Sequence, residues 1–508
     1  MRRPAPALAA LALAAAAGAQ PLPPPNTRCE RARPDAVERL RADVAWLADD
    51  ARAGREPGTD GGRAAEAWLV GRFTALGLQP AGAEGYRQPF RVPYGVEETA
   101  RAQVLLRAHG ETRALALGAD FRVANVPEHS GDGRAVGGVV YVGHALVARD
   151  ADWNDFRRRG DRVRGRVAVA LAGPPRPRDP ARVAAFERAH VTGSLFGKAR
   201  AARQAGAVAL IEVQLSGGGV GGGYVAPPAG GIPVVRVSRA VGAWLLGRDP
   251  ASLVPETDEA TPARITEASA RVVTSTRPRQ VEAANVIGLV RGTAGEGRGV
   301  LLVGAHQDHV GYGGASSLLP GVHAVHNGAD DNASGTAVVL ELARRFARAP
   351  LRRDVAFTLF AAEELGLVGS RWLVAHRPSP LRDVSAVMNL DMVGRLRGCR
   401  LFVEARETAP AFAPAVELAN AGFGFDARPW EPTRGPWGAS DHMSFIEARV
   451  PGVFLFTGLH DEYHRPTDDP PTINHPGLAA VADFAEAVLR RVDEAAARDP
   501  NALRFNAR

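Results

Sequence analysis

"GVLLVGAH" (residues 299–306) is an apolar run that ends on a histidine. Its lack of polar alternation fits a strand covered on both faces rather than one with a wet side. Similar runs lie to either side: "NVIGLV" (285–290), "VAFTLFAAEE" (355–364), "VSAVMNLDMVG" (384–394) and "GVFLFTG" (452–458). Helical patterns separate them. "HNGADDNASGTAVVLELAR" (326–344) opens one helix, with Asn332 or Ser334 as its cap; another starts near 366, and a long amphipathic helix fits 476–497. Strands alternating with helices specify an α/β fold, a mostly parallel mixed sheet flanked by helices. In open sheets of this kind ligands bind beyond the carboxyl ends of the strands.

At 508 residues the chain exceeds one ordinary domain. Its character changes between 129 and 265, where "GGVVYVG" (137–143), "RVAVALAG" (166–173), "ALIEVQ" (209–214) and "IPVVRVS" (232–238) surround one good helix near 195–206. The glycine-rich loop "SGGGVGGGY" (216–224) has no strand–GxGxxG–helix frame, so a phosphate loop is not expected. This stretch reads as an inserted β-rich domain. The expected division is a leader over 1–19, a proline-rich tether over 20–34 and the first part of the main domain over 35–128. The insertion follows over 129–265, then the rest of the main domain over 266–500 and a tail over 501–508.

"MRRPAPALAALALAAAAGAQ" (1–20) has a basic start, a short apolar stretch and the pattern Ala17-Gly18-Ala19. That is a cleavable signal peptide ending near Ala19, and it implies export to the periplasm or beyond. The apolar run is shorter than the roughly 20 residues of a spanning helix, so no stable membrane insertion is expected. Cys29 and Cys399 are the only cysteines; a bond between them would tie the N-terminal tail to the main body, and the sequence leaves that pairing open. The formal net charge of +7 comes from arginines interleaved with acids along the chain. The densest basic run, "FRRRGDRVRGR" (156–166), lacks interleaved aromatics, which argues against a nucleic-acid partner.

The polar residues that follow the strands carry the chemistry. His306 and Asp308 close one strand, Asp330 and Asp331 follow a long loop, and Glu363 and Glu364 end the next strand. Asp391 lies at a further strand end and His464 in the loop after the last strand. Each alone has an ordinary explanation as a cap or a solvated charge. Together they would repel severely without a cation. Zinc accepts imidazole nitrogen and carboxylate oxygen, and two ions roughly 3.5–4 Å apart can share a bridging carboxylate. His306, Asp330, Glu364, Asp391 and His464 supply about the five donors that two ions need. Glu363 is then left over as a general base, and Asp308 suits a role orienting the His306 imidazole.

In order and spacing, "HQD" (306–308), "GADDNASG" (328–335), "AAEELGLVGS" (361–370), "NLDMVG" (389–394), "SDHMSF" (440–445) and "YHRPTDD" (463–469) resemble the co-catalytic zinc exopeptidases. That family includes bacterial leucyl aminopeptidase, aminopeptidase Y and glutamate carboxypeptidase. "LADDARAGREPGTDGGRAAEAWLVGRFTALGLQPAG" (47–82) is similar to the family's N-terminal stretch, and 129–265 resembles a protease-associated domain. The resemblance implies two zinc ions, one on His306 and Asp391, the other on Glu364 and His464, with Asp330 bridging and Glu363 as base. It implies a cis peptide at Asp330–Asp331, with Asp331 supporting that bond and the helix start. Ser440, Asp441, His442 and Tyr463 would line the substrate or support the ligands, with pocket walls near 430–445. The implied activity is release of N-terminal residues from peptides. Carboxypeptidase action, glutaminyl cyclisation and a non-catalytic receptor-like role are the alternatives; the filled ligand set argues against the last two.

Overall fold

The computed structural model describes residues 28–30, 32–124, 132–148, 152–156, 160–188, 195–215, 231–253, 260, 264–295, 297–313, 316–319, 324–429 and 440–506. The expected leader over 1–19, the glycine-rich loop at 216–224 and the pocket wall at 430–439 lie outside them.

Nine strands form the main sheet: β1 (Gln79–Pro80), β2 (Arg87–Glu98), β3 (Thr276–Val290), β4 (Val300–His306), β5 (Asp354–Phe360), β6 (Val384–Leu390), β7 (Arg400–Glu404), β8 (Asp426–Arg428) and β9 (Gly452–Phe456). Their order is β1-β3-β5-β4-β6-β9-β7-β8, with β2 also paired to β3. The centre is parallel, β5 with β4, β4 with β6 and β6 with β9. Antiparallel pairs join each edge to it, β3 to β5 on one side and β7 to β9 on the other.

All of β4 is buried, because successive side chains go to opposite covered faces. Leu301 and Val303 face one cluster with Val44 of helix α1 (Pro34–Leu47), Phe346 of α2 (Gly335–Arg348) and Phe484 of α3 (His475–Arg498). Leu302 faces the other way, into a cluster with Phe360, Leu373 and Phe445. Each fully buried side chain of this size contributes about 1.5–3 kcal/mol before entropy is counted. The long apolar run of the sequence is the signature of this two-sided burial.

The parallel register aligns the strand ends. His306 pairs with Phe360, Gly304 with Asn389, and Leu390 with Leu455. The segments that leave β4, β5, β6 and β9 therefore emerge along one edge, and these carry the predicted site residues.

A second, eight-stranded sheet contains Gly133–Tyr141, Val167–Leu171, Ala209–Val213 and Val234–Val237, as the inserted segment requires. It also draws in strands outside the expected 129–265 boundaries. Gln103–Ala108 pairs with Arg264–Thr274, and Phe121–Val123 with Val234–Val237. The upstream strand alternates exposed and buried residues. That pattern alone does not say which sheet a strand joins. The antiparallel β2–β3 pair forms the stem between the two sheets.

Cys29 and Cys399 are bonded, with their Cα atoms 5.6 Å apart. The bond ties the first described residues to the turn before β7, and such bonds persist in oxidising compartments. No described helix is long and apolar enough to cross a membrane. Because the bond spans 370 residues, replacing both cysteines with serine is expected to lower unfolding stability by about 2–4 kcal/mol. Denaturant midpoints of parent and variant test this; equal midpoints would show that the crosslink adds nothing to the packing of the tail.

Candidate metal centre

Two groups of side chains gather at the carboxyl edge of the sheet. His306, Asp331 and Asp391 form one; His309, Asp331, Glu364 and His464 form the other. Within each, the potential donor atoms all lie within 4.8 Å of one another. Asp331 belongs to both. Its Oδ1 is 3.2 Å from His306 Nε2, and its Oδ2 is 3.1 Å from His464 Nε2. His306 Nε2 is also 3.2 Å from Asp391 Oδ1, and His464 Nε2 is 3.2 Å from Glu364 Oε2.

Both imidazoles are oriented by their other nitrogen. His306 Nδ1 donates to the Asp308 carbonyl at 3.2 Å, and His464 Nδ1 donates to the Ser316 carbonyl at 2.8 Å. A proton on each Nδ1 leaves each Nε2 lone pair facing the carboxylates, as a metal-ligating histidine requires. The groups are almost sealed from solvent: His306 is 1 % exposed and Asp331 3 %. Burial disfavours charge on His306, yet Asp391, Glu363 and Asp331 outweigh it and raise its pKa well above the usual value. Burial likewise opposes His464, but Glu364 and Asp331 raise it to about 11. In turn the imidazoles overcome burial to hold Asp331 well below, and Glu364 at about 2. The pocket therefore demands positive charge, and nitrogen and carboxylate donors shared through one aspartate fit a pair of divalent cations.

Residues 285–489 match the model of Peptidase family M28. Aminopeptidase YwaD of Bacillus subtilis (strain 168) is 30% identical over 215 residues, 40% of this chain and 44% of that protein. Leucine aminopeptidase 2 of Trichophyton equinum is 31% identical over 181 residues, 34% of this chain and 33% of that protein. The chain thus spans less than half the length of these curated relatives. In fold it is similar to the zinc aminopeptidase BSAP from Bacillus subtilis, with a TM-score of 0.55 at 22% identity over 89% of this chain and 94% of the other. An aminopeptidase from Aneurinibacillus sp. strain AM-1 gives a TM-score of 0.51 at 20% identity, over 91% and 94% of the two chains.

The geometry revises the expected bridge. The structure puts Asp331, not Asp330, between the two groups. Asp330 turns the other way: its Oδ1 accepts from Gly394 N at 2.6 Å, and its Oδ2 lies 3.2 Å from His460 Nε2. The cis peptide follows suit, falling at Asp331–Asn332 rather than Asp330–Asp331. Asn332, not Ser334, caps the helix, accepting from Gly335 N at 2.9 Å while donating to the Leu390 carbonyl. That second bond anchors the turn beside Asp391. Gly328 permits this arrangement; it has φ 57°, and a Cβ there would sit 2.1 Å from the Asp331 carbonyl oxygen.

Asp308 orients His306 through its backbone carbonyl rather than through its carboxylate. Its carboxylate lies 3.9 Å from His306 Nδ1, and instead accepts from the backbone amides of Glu363 at 3.1 Å and Glu364 at 3.4 Å. Glu363 stands outside both donor groups. Burial, with Glu364, Asp441 and Asp391 nearby, raises its pKa well above the carboxylate range against the pull of His306. Ser440 donates to Asp391 Oδ2 at 2.7 Å and accepts from Asn389 Nδ2 at 2.8 Å. Asp441 is fully buried and burial lifts it to about 7. His442 stacks on Phe454, away from the donor groups, whereas Tyr463 stacks on His464.

Four supports escaped the sequence reading. Asp468 accepts the amides of both Asp330 and Asp331, and His460 faces Asp330. His309 joins the Glu364 group, though in "HQDHVG" (306–311) it looks like an ordinary loop residue. Arg55 is the most remote in sequence. Only 1 % exposed, it donates to the carbonyls of Gln307 (2.8 Å), Leu47 (2.8 Å), Asn327 (2.7 Å) and Gly328 (3.0 Å). Burial lowers its pKa to about 10, and Asp331, Asp308, Asp468 and Glu364 oppose that. Arg55→Met would strand four buried acceptors, and a loss of about 3 kcal/mol or more is expected. Arg55→Lys keeps the charge but not the fork and should recover only part of it. Thermal melts check both; a lysine variant as stable as the parent would refute the requirement for the guanidinium.

Proposed function

We propose that this chain is an exported zinc aminopeptidase that hydrolyses the first peptide bond of peptides. The observation that carries the reading is the Asp331 carboxylate, one oxygen in each donor group, with Glu363 beside both and in neither. The names of the Bacillus and Trichophyton relatives and the match of residues 285–489 support the reaction class.

In this reading His306 and Asp391 hold one zinc, Glu364 and His464 the other, and Asp331 bridges. Two zinc ions supply Lewis acidity, activating water and polarising the peptide carbonyl. The remaining steps fall to side chains. Glu363, as the carboxylate, takes a proton from the attacking water and then delivers it to the leaving amine. Asp308 fixes the backbone of Glu363 and Glu364, so base and ligand keep their separation. Ser440 holds Asp391 Oδ2 and leaves Oδ1 for the cation. Tyr463 and residues 440–445 would border the substrate. The second sheet, as a protease-associated domain, would cap the site without donating ligands. The leader at 1–19 and the Cys29–Cys399 bond support a periplasmic or extracellular location.

Glu363→Gln is expected to lower hydrolysis of aminoacyl anilides by about 10²–10⁴-fold while metal analysis still finds both zinc ions. Full activity in that variant would remove the base assignment. Asp331→Asn is expected to lose zinc, whereas Asp330→Asn, which can still accept from Gly394, should keep it; the opposite result would return the bridge to Asp330. Chelator should abolish turnover of free aminoacyl anilides. Cleavage of N-blocked peptides from their C-terminus would replace the aminopeptidase reading with a carboxypeptidase.

A further inference from the structure

We infer that His309 is a fourth protein ligand at the Glu364 position, so the two cation positions differ in kind. The inference rests on the two-zinc reading above and extends it to how each ion is kept.

The His309 ring is fully buried. Its Nδ1 lies 2.8 Å from Glu364 Oε1 and 3.7 Å from Asp331 Oδ2, on the side where His464 Nε2 meets the same two carboxylates. The two imidazoles meet edge to face, with centroids 5.5 Å apart. His309 Nε2 has no hydrogen-bond partner among the described residues, so all the described polar contacts of the ring are with the carboxylates. Among the described residues, one position thus has His309, Asp331, Glu364 and His464, and the other has His306, Asp331 and Asp391. Four protein donors make a closed, holding site; three leave a place for water and substrate. The His306 position is therefore the exchangeable, reactive one, and the Glu364 position retains its ion.

The competing role for His309 is a hydrogen-bond donor that merely orients Glu364. His309→Asn separates the two, because the asparagine amide can donate from near the Nδ1 position but offers no imidazole nitrogen. Parent, His309→Ala and His309→Asn would each be loaded with Co²⁺ and dialysed against increasing chelator. Metal per chain and the visible cobalt spectrum would be recorded. The parent should release its ions in two separated steps. Both variants should release the second ion at chelator levels at least about tenfold lower, with an altered spectrum for the retained ion. A His309→Asn variant that keeps the parent's two steps and spectrum would overturn the proposal in favour of the donor role. Unchanged release from both variants would overturn it as well. A parent that binds no cobalt or zinc would instead refute the two-zinc reading itself.

Discussion

Everything at the carboxyl edge of the main sheet is organised around one buried carboxylate. Asp331 is buried, with one oxygen facing His306 and the other facing His464. Burying several carboxylates together is costly unless compensating charge is held against them. The imidazoles, raised far above their ordinary range, display that demand directly. The surrounding hydrogen bonds serve to keep the acids in place despite their repulsion. Asp468 binds the backbone of the aspartate pair, Asn332 bridges the helix start to the end of β6, and Arg55 gathers three carbonyls of the nearby loops as well as that of Leu47.

The sheet makes this convergence possible. Four parallel neighbours in register deliver their ends to one edge, and each end contributes something different. β4 supplies His306, β5 leads to Glu363 and Glu364, and β6 leads to Asp391. β9 leads to the loop with His460 and His464. The antiparallel edge strands do not add donors. Instead β3 continues into the stem of the second sheet, and β7 carries the turn to which the Cys29–Cys399 bond fastens the N-terminal segment. That segment returns value to the site, because α1 packs against the helix that follows Asp331 and Arg55 lies a few residues beyond α1.

The division of labour between the two glutamates follows from the same geometry. Glu364 is drawn to His309 and His464 and held at about pKa 2. Glu363, one residue earlier, belongs to neither group and is pushed the other way by burial and its acidic neighbours. Adjacent residues of one type are thus shifted in opposite directions by their surroundings.

By itself, the sequence determined the α/β fold, the strands of the parallel centre and the residue types that converge at their ends. Uninterrupted apolar runs report two-sided burial locally, and polar groups just beyond them must share an edge. The change of character over 129–265 does not tell that strands at 103–108, 111–114 and 121–123 join the second sheet, since strand partners are chosen by distant pairing. Only the tertiary structure decided between Asp330 and Asp331. Their side chains leave the backbone in different directions, and one residue of offset sends a carboxylate to Gly394 and His460 or to the cation pocket. The same reason hid His309 and Arg55. Nothing in a histidine three residues past a strand end, or in an arginine some 250 residues upstream of the site, shows which buried carboxylates or carbonyls it will meet once the chain has closed around them.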